Sequence, residues 1–209
     1  MSKRISILGA SGHGKIVLST ARQAGYDVIA MYDDNQELFN VNMHDVLVKG
    51  GINDCLSNTN LITAIGDNYI RYKVVNQIRH AKWTSLIHPR SYVDPSVSFD
   101  IGTIICAGST VQIDTVIGVH SILNTNSSVD HDCEIGDFVH IAPGVNICGG
   151  VKVGDGSMIG VGSSVIPNIS IGKNCIVGAG SVVVADIPDG SVVMGCPAKI
   201  IKYKANDYV

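Results

Sequence analysis

From Val93 to Val183 every sixth residue is bulky and apolar, and the pattern never slips. The column reads Val93, Phe99, Ile105, Val111, Ile117, Leu123, Val129, Ile135, Ile141, Ile147, Val153, Ile159, Val165, Ile171, Val177, Val183. A helix repeats near 3.6 residues and a strand at about 2, so neither period accounts for it. A strict six predicts a parallel β-helix, in which each repeat supplies one short strand and one corner. The position two before the column is small or apolar at Ser109, Ser121, Ser127, Cys133, Val139, Val145 and Val151, which predicts a second inward-facing residue. The residue after the column is often Gly, Asn or Asp, as at Gly118, Asn124, Asp130 and Gly154. Such residues are expected to supply the bends of a tightly wound coil.

Upstream the pattern alternates between strand and helix periods. The chain predicts a strand over Ile5 to Leu8, a loop from Gly9 to Gly14, and a helix from Lys15 to Ala24 stopped by Gly25. A second strand is expected over Val28 to Tyr32, ending in Asp33-Asp34. A third, over Leu61 to Ile65, leads through Gly66-Asp67-Asn68 into a helix from about Tyr69 to Arg79. Such alternation implies a small parallel sheet with functional loops at the strand carboxyl ends. The expected organisation is a Rossmann-like α/β domain over residues 1–82 and a β-helical domain over residues 83–209, with a non-repeating tail from Pro188.

Composition narrows the function classes. Hydrophobic content of 45% and charged content of 16% fit a soluble globular protein, and 5% aromatics fit a core of thin aliphatic layers. A formal net charge of -3 argues against a general nucleic-acid binder. No stretch reaches the length of a membrane span, and the amino-terminal apolar run is too short for a signal peptide. The 6 cysteines are scattered without a CxxC pair, which points to a reducing cytoplasm.

The stretch Gly9-Ala-Ser-Gly-His-Gly14-Lys15 approaches two phosphate motifs and completes neither. Its glycines are spaced GxxGxG rather than GxGxxG, and Ile16 stands where a Walker loop needs Ser or Thr for magnesium. ATP hydrolysis is therefore not expected. The shared physics survives, because glycines admit a ligand to the backbone and the helix start offers free N–H groups to phosphate. Asp33 and Asp34 are placed to accept hydrogen bonds from a ribose or base. A tight structural βα turn is the alternative.

His131, in Ser128-Val-Asp-His-Asp132, falls on the corner side of the repeat. Gly149 follows it by 18 residues, so the two stack in adjacent coils, roughly 4.8 Å apart. A histidine base beside a backbone N–H suits acyl transfer, with Asp130 or Asp132 orienting the ring. A solvated surface histidine is the alternative. His120 and His140 occupy other repeat positions, so no metal site is expected within one coil.

These residues resemble the bacterial sugar acetyltransferases that group UDP-4-amino-sugar N-acetyltransferases with sialic acid O-acetyltransferases. The resemblance runs through Gly9 to Gly14, Asp33-Asp34, Ala64-Ile-Gly-Asp-Asn68 with Arg71, Leu123-Asn-Thr, Val129 to Asp132, Phe138-Val-His140, Pro167-Asn168 and Gly195-Cys-Pro-Ala-Lys199. It implies a left-handed β-helix, an exception to right-handed crossovers. It also implies a homotrimer with active sites between subunits, acetyl-coenzyme A as donor and no metal. His131 matches the catalytic base, Asp132 its orienting carboxylate, and Gly149 the amide that polarises the thioester carbonyl. His140, Gly149, Val161, Ala179, Gly180 and Lys199 match coenzyme contacts. For the nucleotide sugar the resemblance implies Gly9, Ser11, Gly12, His13, Gly14, Asp33, Asp34, Ala64, Gly66, Asp67, Arg71 and Asn124.

The expected activity is transfer of acetyl from acetyl-coenzyme A to the 4-amino group of a nucleotide-linked sugar, most readily a UDP-sugar, for surface glycan or glycoprotein synthesis. Two competing readings stand beside it. One is O-acetylation of a sialic acid or related sugar by the same machinery; the other is a non-catalytic nucleotide-sugar sensor. The partners expected are the nucleotide sugar and further copies of the chain, without nucleic acid or membrane.

Overall fold

A computed structural model describes residues 3–55, 59–78 and 81–203. The chain divides into two compact units, Met1–Pro89 and Arg90–Val209.

The first unit is an α/β layer. Its elements are β1 (Lys3–Leu8), α1 (Gly12–Gln23), β2 (Tyr26–Tyr32), β3 (Asn42–Met43), β4 (Val46–Leu47), β5 (Asn60–Thr63), α2 (Asn68–Gln77) and β6 (Lys82–Trp83). The parallel sheet runs β2-β1-β5-β6, so the chain leaves β1 in one direction and returns on its other side. That reversal opens a crevice at the carboxyl end of β1, where ligands of open α/β sheets bind. Leu8, Ala30, Tyr32, Ile52, Leu61 and Val74 form one core cluster beneath it.

Helix α1 begins at Gly12, inside the glycine loop, rather than at Lys15. Helix propensity argued against glycines in a first turn. Tertiary contact overrides it: a Cβ at Gly14 would lie 2.6 Å from the carbonyl oxygen of Gly9, so only glycine lets the helix start this close to β1. Gly25 ends the helix as expected, with φ +81° and its N–H donating to Arg22. Asp67 caps α2 through its Oδ1, which accepts from Ile70 N at 2.8 Å.

The second unit is the β-solenoid that the six-residue period predicts. Two-residue strands recur every sixth residue, and those 18 apart pair in parallel, as in Ile105↔Leu123, Leu123↔Ile141, Ile141↔Ile159 and Ile159↔Val177. From Ile105 to Val183 every column residue is at most 2% exposed. Val93 and Phe99 are less buried because their strands lie at the ends of their sheets and stack on one neighbour only.

The second inward position is buried as well, and where it carries a hydroxyl it links coils. Ser121, Ser157 and Ser163 donate to the carbonyls of Gly136, Gly172 and Gly178 at 2.7, 2.7 and 2.8 Å. Each hydroxyl also accepts the N–H of the equivalent residue one coil later: Val139, Cys175 and Ser181. These bonds satisfy corner backbone groups that the short strands leave unpaired.

The bend itself sits elsewhere than expected. The left-handed residue is the third after the column, as at Asp132 (φ +58°) and Gly150 (φ +70°), and not the first. Glycine at the first position serves close approach instead: a Cβ at Gly154 would lie 2.7 Å from backbone atoms of Gly172 and Lys173. The last coil is shorter, pairing Val177 with Val193, and it ends in an antiparallel hairpin of Ser191–Met194 with Lys199–Tyr203. Among the described residues no helix is long and apolar enough to cross a membrane.

Candidate active site

The corner joining the strand Ser128–Val129 to the strand Glu134–Ile135 projects His131 outward. Its ring lies against Gly149, where a Cβ would stand 2.5 Å from both Cε1 and Nε2. Any side chain at residue 149 would therefore displace the imidazole. His131 Nδ1 is 2.7 Å from Asp132 Oδ2, while Asp130 Oδ1 accepts the His131 N–H at 2.9 Å. With Nδ1–H donated to the carboxylate, Nε2 keeps its lone pair free to take a proton. The hydrogen bond accepted by Asp132 raises the His131 pKa above its ordinary value, burial opposes this, and the charges of Asp130 and Asp132 add to the rise.

Asp132 reaches the ring because it occupies the left-handed corner position, a conformation that Asp tolerates better than most residues. A groove of about 290 Å³ lies beside the ring, lined by the Asp130–Asp132 segment, by Cys148, Gly149 and Gly150, and by Pro167 and Asn168. Pro167 follows Gly149 by 18 residues, so the register that found Gly149 also locates it. Cys148 had no signal beyond its place next to Gly149.

Along one other corner outward N–H groups are capped by the next coil: Val119 N donates to Asp137 Oδ1, Asp137 N to Asp155 Oδ1, and Lys173 N to Asp189 Oδ1. The Gly149 N–H meets no acceptor among the described residues. It is thus a donor in a wall beside a histidine base.

The remaining solenoid positions lie on other faces. Asn124 and His140 are both buried and pair through Nδ2 and Nε2 at 3.1 Å. Val161 and Ala179 are exposed on the corner between the strand Ile122–Leu123 and the strand Ser128–Val129 and their stacked equivalents. They stack there, with Gly180 N donating to Val161 O at 2.8 Å. Lys199 is exposed on the terminal strand. One chain thus unites His131, Asp132 and Gly149 but keeps them on a different corner from Val161, Ala179 and Gly180.

In the first unit the glycine loop, the end of β2 and the Ala64–Asn68 turn converge. Gly9 takes φ +111° and donates to Tyr32 O at 2.7 Å; a Cβ there would lie 2.7 Å from Ala64 O. Asp33 accepts from Ala10 N at 2.7 Å and Asn35 N at 2.9 Å, and Asp34 accepts from Ile52 N at 2.9 Å. Both carboxylates therefore shape the crevice by holding its loops. Helix α1 has no side-chain cap from Ser11 and no acidic residue in its first turn, which leaves the start beside Gly12 and His13 open to an anion. Burial, and then the Arg71 charge, push the His13 pKa down to about 4, so His13 is neutral at physiological pH. Among the described residues no three His, Cys, Asp or Glu side chains group as a metal site requires.

Residues 4–78 match the family described as the PglD N-terminal domain, and residues 150–185 match the bacterial transferase hexapeptide (six repeats). The acetyltransferase domain of PglB from Neisseria gonorrhoeae, solved in complex with acetyl coenzyme A, is 34% identical with a TM-score of 0.89, covering 96% of this chain and 100% of that one. PerB from Caulobacter crescentus, solved with CoA and GDP-perosamine, is 37% identical with a TM-score of 0.87, covering 95% and 97%. WeeI from Acinetobacter baumannii AYE is 27% identical with a TM-score of 0.85. The uncharacterized protein L142 of Acanthamoeba polyphaga mimivirus is 31% identical over 125 residues, and this chain spans 25% of its length. Similarity at these levels along the whole length of solved acetyltransferases makes the chain a member of the sugar acetyltransferases that join a PglD-type N-terminal domain to a hexapeptide-repeat β-helix.

Proposed function

We propose that this protein transfers the acetyl group of acetyl-coenzyme A to the 4-amino group of a nucleotide-linked amino sugar. The observation that carries this reading is the contact of the His131 ring with Gly149, beside an amide N–H that meets no acceptor among the described residues. The sugar nitrogen attacks the thioester carbon, and His131 Nε2 takes the proton that nitrogen sheds. Gly149 N–H stabilises the oxygen as it becomes an oxyanion, which is the largest single contribution in many acyl transfers. When the C–S bond breaks, the coenzyme leaves as a thiolate that recovers the proton held by the His131 imidazolium, which restores the neutral base. Asp132 holds the ring and offsets the charge of the imidazolium.

The first unit binds the nucleotide, through the open start of α1 and the crevice at the end of β1. His140, Val161, Ala179, Gly180 and Lys199 contact the coenzyme, with Asn124 lining the sugar side. Because these sets stand on different corners of one chain, the complete site draws on two neighbouring copies in a homotrimer. The likeness to structures solved with acetyl coenzyme A and with GDP-perosamine supports both the donor and the acceptor class.

Thiol release from acetyl-coenzyme A tests this reading. The expected result is release with a UDP- or GDP-linked 4-amino sugar and none with the corresponding 4-hydroxy sugar. Release with a sialic acid alone would replace N- by O-acetylation. Silence across all acceptors would leave a nucleotide-sugar sensor.

A further inference from the structure

Arg71 lies outside the acetyl-transfer chemistry, yet with Tyr32 it is among the bulkiest wholly buried side chains of the described residues. A cation is costly to bury unless its donors are satisfied. Here Nη1 donates to Ile65 O at 2.8 Å and Gly66 O at 3.3 Å, and Nη2 donates to Asn68 Oδ1 at 2.8 Å. Ile65 and Gly66 lie in the turn between β5 and α2, and Asn68 is the residue that opens α2. The same turn abuts the glycine loop, since Ala64 N donates to Leu8 O at 2.6 Å and Gly9 has room for no Cβ against Ala64 O. The planar fork of a guanidinium spans several acceptors at once, which a compact ammonium cannot reproduce.

We propose that Arg71 is a positioning residue for nucleotide binding: from beneath, its guanidinium fixes the Ile65–Asn68 turn against the glycine loop, and it does not itself touch the ligand. Its complete burial leaves no surface for contact while the turn is in place. The proposal rests on the first unit binding a nucleotide. It differs from a direct phosphate contact in depending on the shape of the side chain rather than on its charge.

Calorimetric titration of the full chain with UDP and GDP, beside coenzyme A, separates the cases across Arg71→Lys, Arg71→Met and Asn68→Ala. Arg71→Lys should weaken binding of whichever nucleotide the unaltered protein takes by about ten- to a hundredfold, with coenzyme affinity unchanged. In turnover, KM for the nucleotide sugar should rise while kcat changes little. Asn68→Ala, at a half-buried position, should move affinity in the same direction by a smaller factor, and it carries the test if the Arg71 variants do not fold. Full binding by Arg71→Lys with loss in Arg71→Met overturns the proposal in favour of a charge contact. Lower Tm with unaltered nucleotide affinity reduces Arg71 to a fold residue. If the unaltered protein binds neither nucleotide, the nucleotide reading itself has failed and Arg71 loses this role with it.

Discussion

The imidazole of His131 rests on the Cα of Gly149, so closely that a methyl group at residue 149 would stand 2.5 Å from Cε1 and Nε2. Gly149→Ala therefore pushes the ring away from the neighbouring N–H without disturbing the buried column. Displacing a catalytic group by about 1 Å costs roughly 10²-fold in rate. We expect kcat to fall by about that factor while Tm stays near its original value. A Gly149→Ala protein with unaltered kcat would show that the contact has no part in catalysis.

His131→Ala removes the base altogether. A positioned general base contributes about 10²–10⁴-fold, so kcat should drop within that range, with the dissociation constant for coenzyme A little changed. Stopped-time thiol assays beside calorimetry measure both quantities.

The pH profile should depend on Asp132. Its hydrogen bond is the main cause that raises the His131 pKa, so the unprotonated base predominates at higher pH than for an ordinary histidine. Activity is expected to climb with pH through that raised value. Asp132→Asn removes the negative charge and leaves at most a weaker, neutral acceptor for Nδ1–H; the acid limb of kcat/KM should move to lower pH even as the plateau falls. A limb that stays in place would assign the titration to another group.

Sharing of the site between copies is open to complementation. A His131→Ala protein and an Asn124→Ala protein, each nearly inactive alone, should regain part of the activity when co-expressed. Mixed assemblies then contain some interfaces with both intact residues. No recovery across mixing ratios would place the complete site within one chain.

Within the solenoid, Ser121→Ala deletes the bond to Gly136 O and the bond from Val139 N. Leaving a buried donor or acceptor unsatisfied costs about 1–3 kcal/mol, so chemical denaturation should show a loss of that order. An unchanged midpoint would mean that the hydroxyl ladder is dispensable.

The solenoid was the most legible part of the chain because its period differs from that of every other element. The uninterrupted column sets the coil length, and the coil length alone stacks Gly149 on His131. What periodicity could not convey was which glycines bend and which make room. Gly154 and Asp132 look alike as turn formers, yet only Asp132 adopts a left-handed backbone. The first unit was less transparent. The glycines at the start of α1 spoke against a helix until the contact of Gly14 with Gly9 was visible, a relationship between a strand end and a helix that no local pattern encodes. Asp33 and Asp34 were legible as polar groups at the crevice, but their ties to Ala10 and Ile52 depend on how distant loops meet.

The parallel pairing of strands 18 residues apart, reinforced at several corners by serine hydroxyls, makes the solenoid a ruler for insertions and deletions. Removing a single hexapeptide between Gly149 and Val161 would leave the apolar column unbroken in the sequence. It would nevertheless turn everything downstream by one face, carrying the Ala179 corner away from its place. Removing 18 residues would shorten the stack and leave every face aligned. Divergence of such chains is thereby confined to whole-coil steps between their functional corners, while change in length accumulates at the corners themselves.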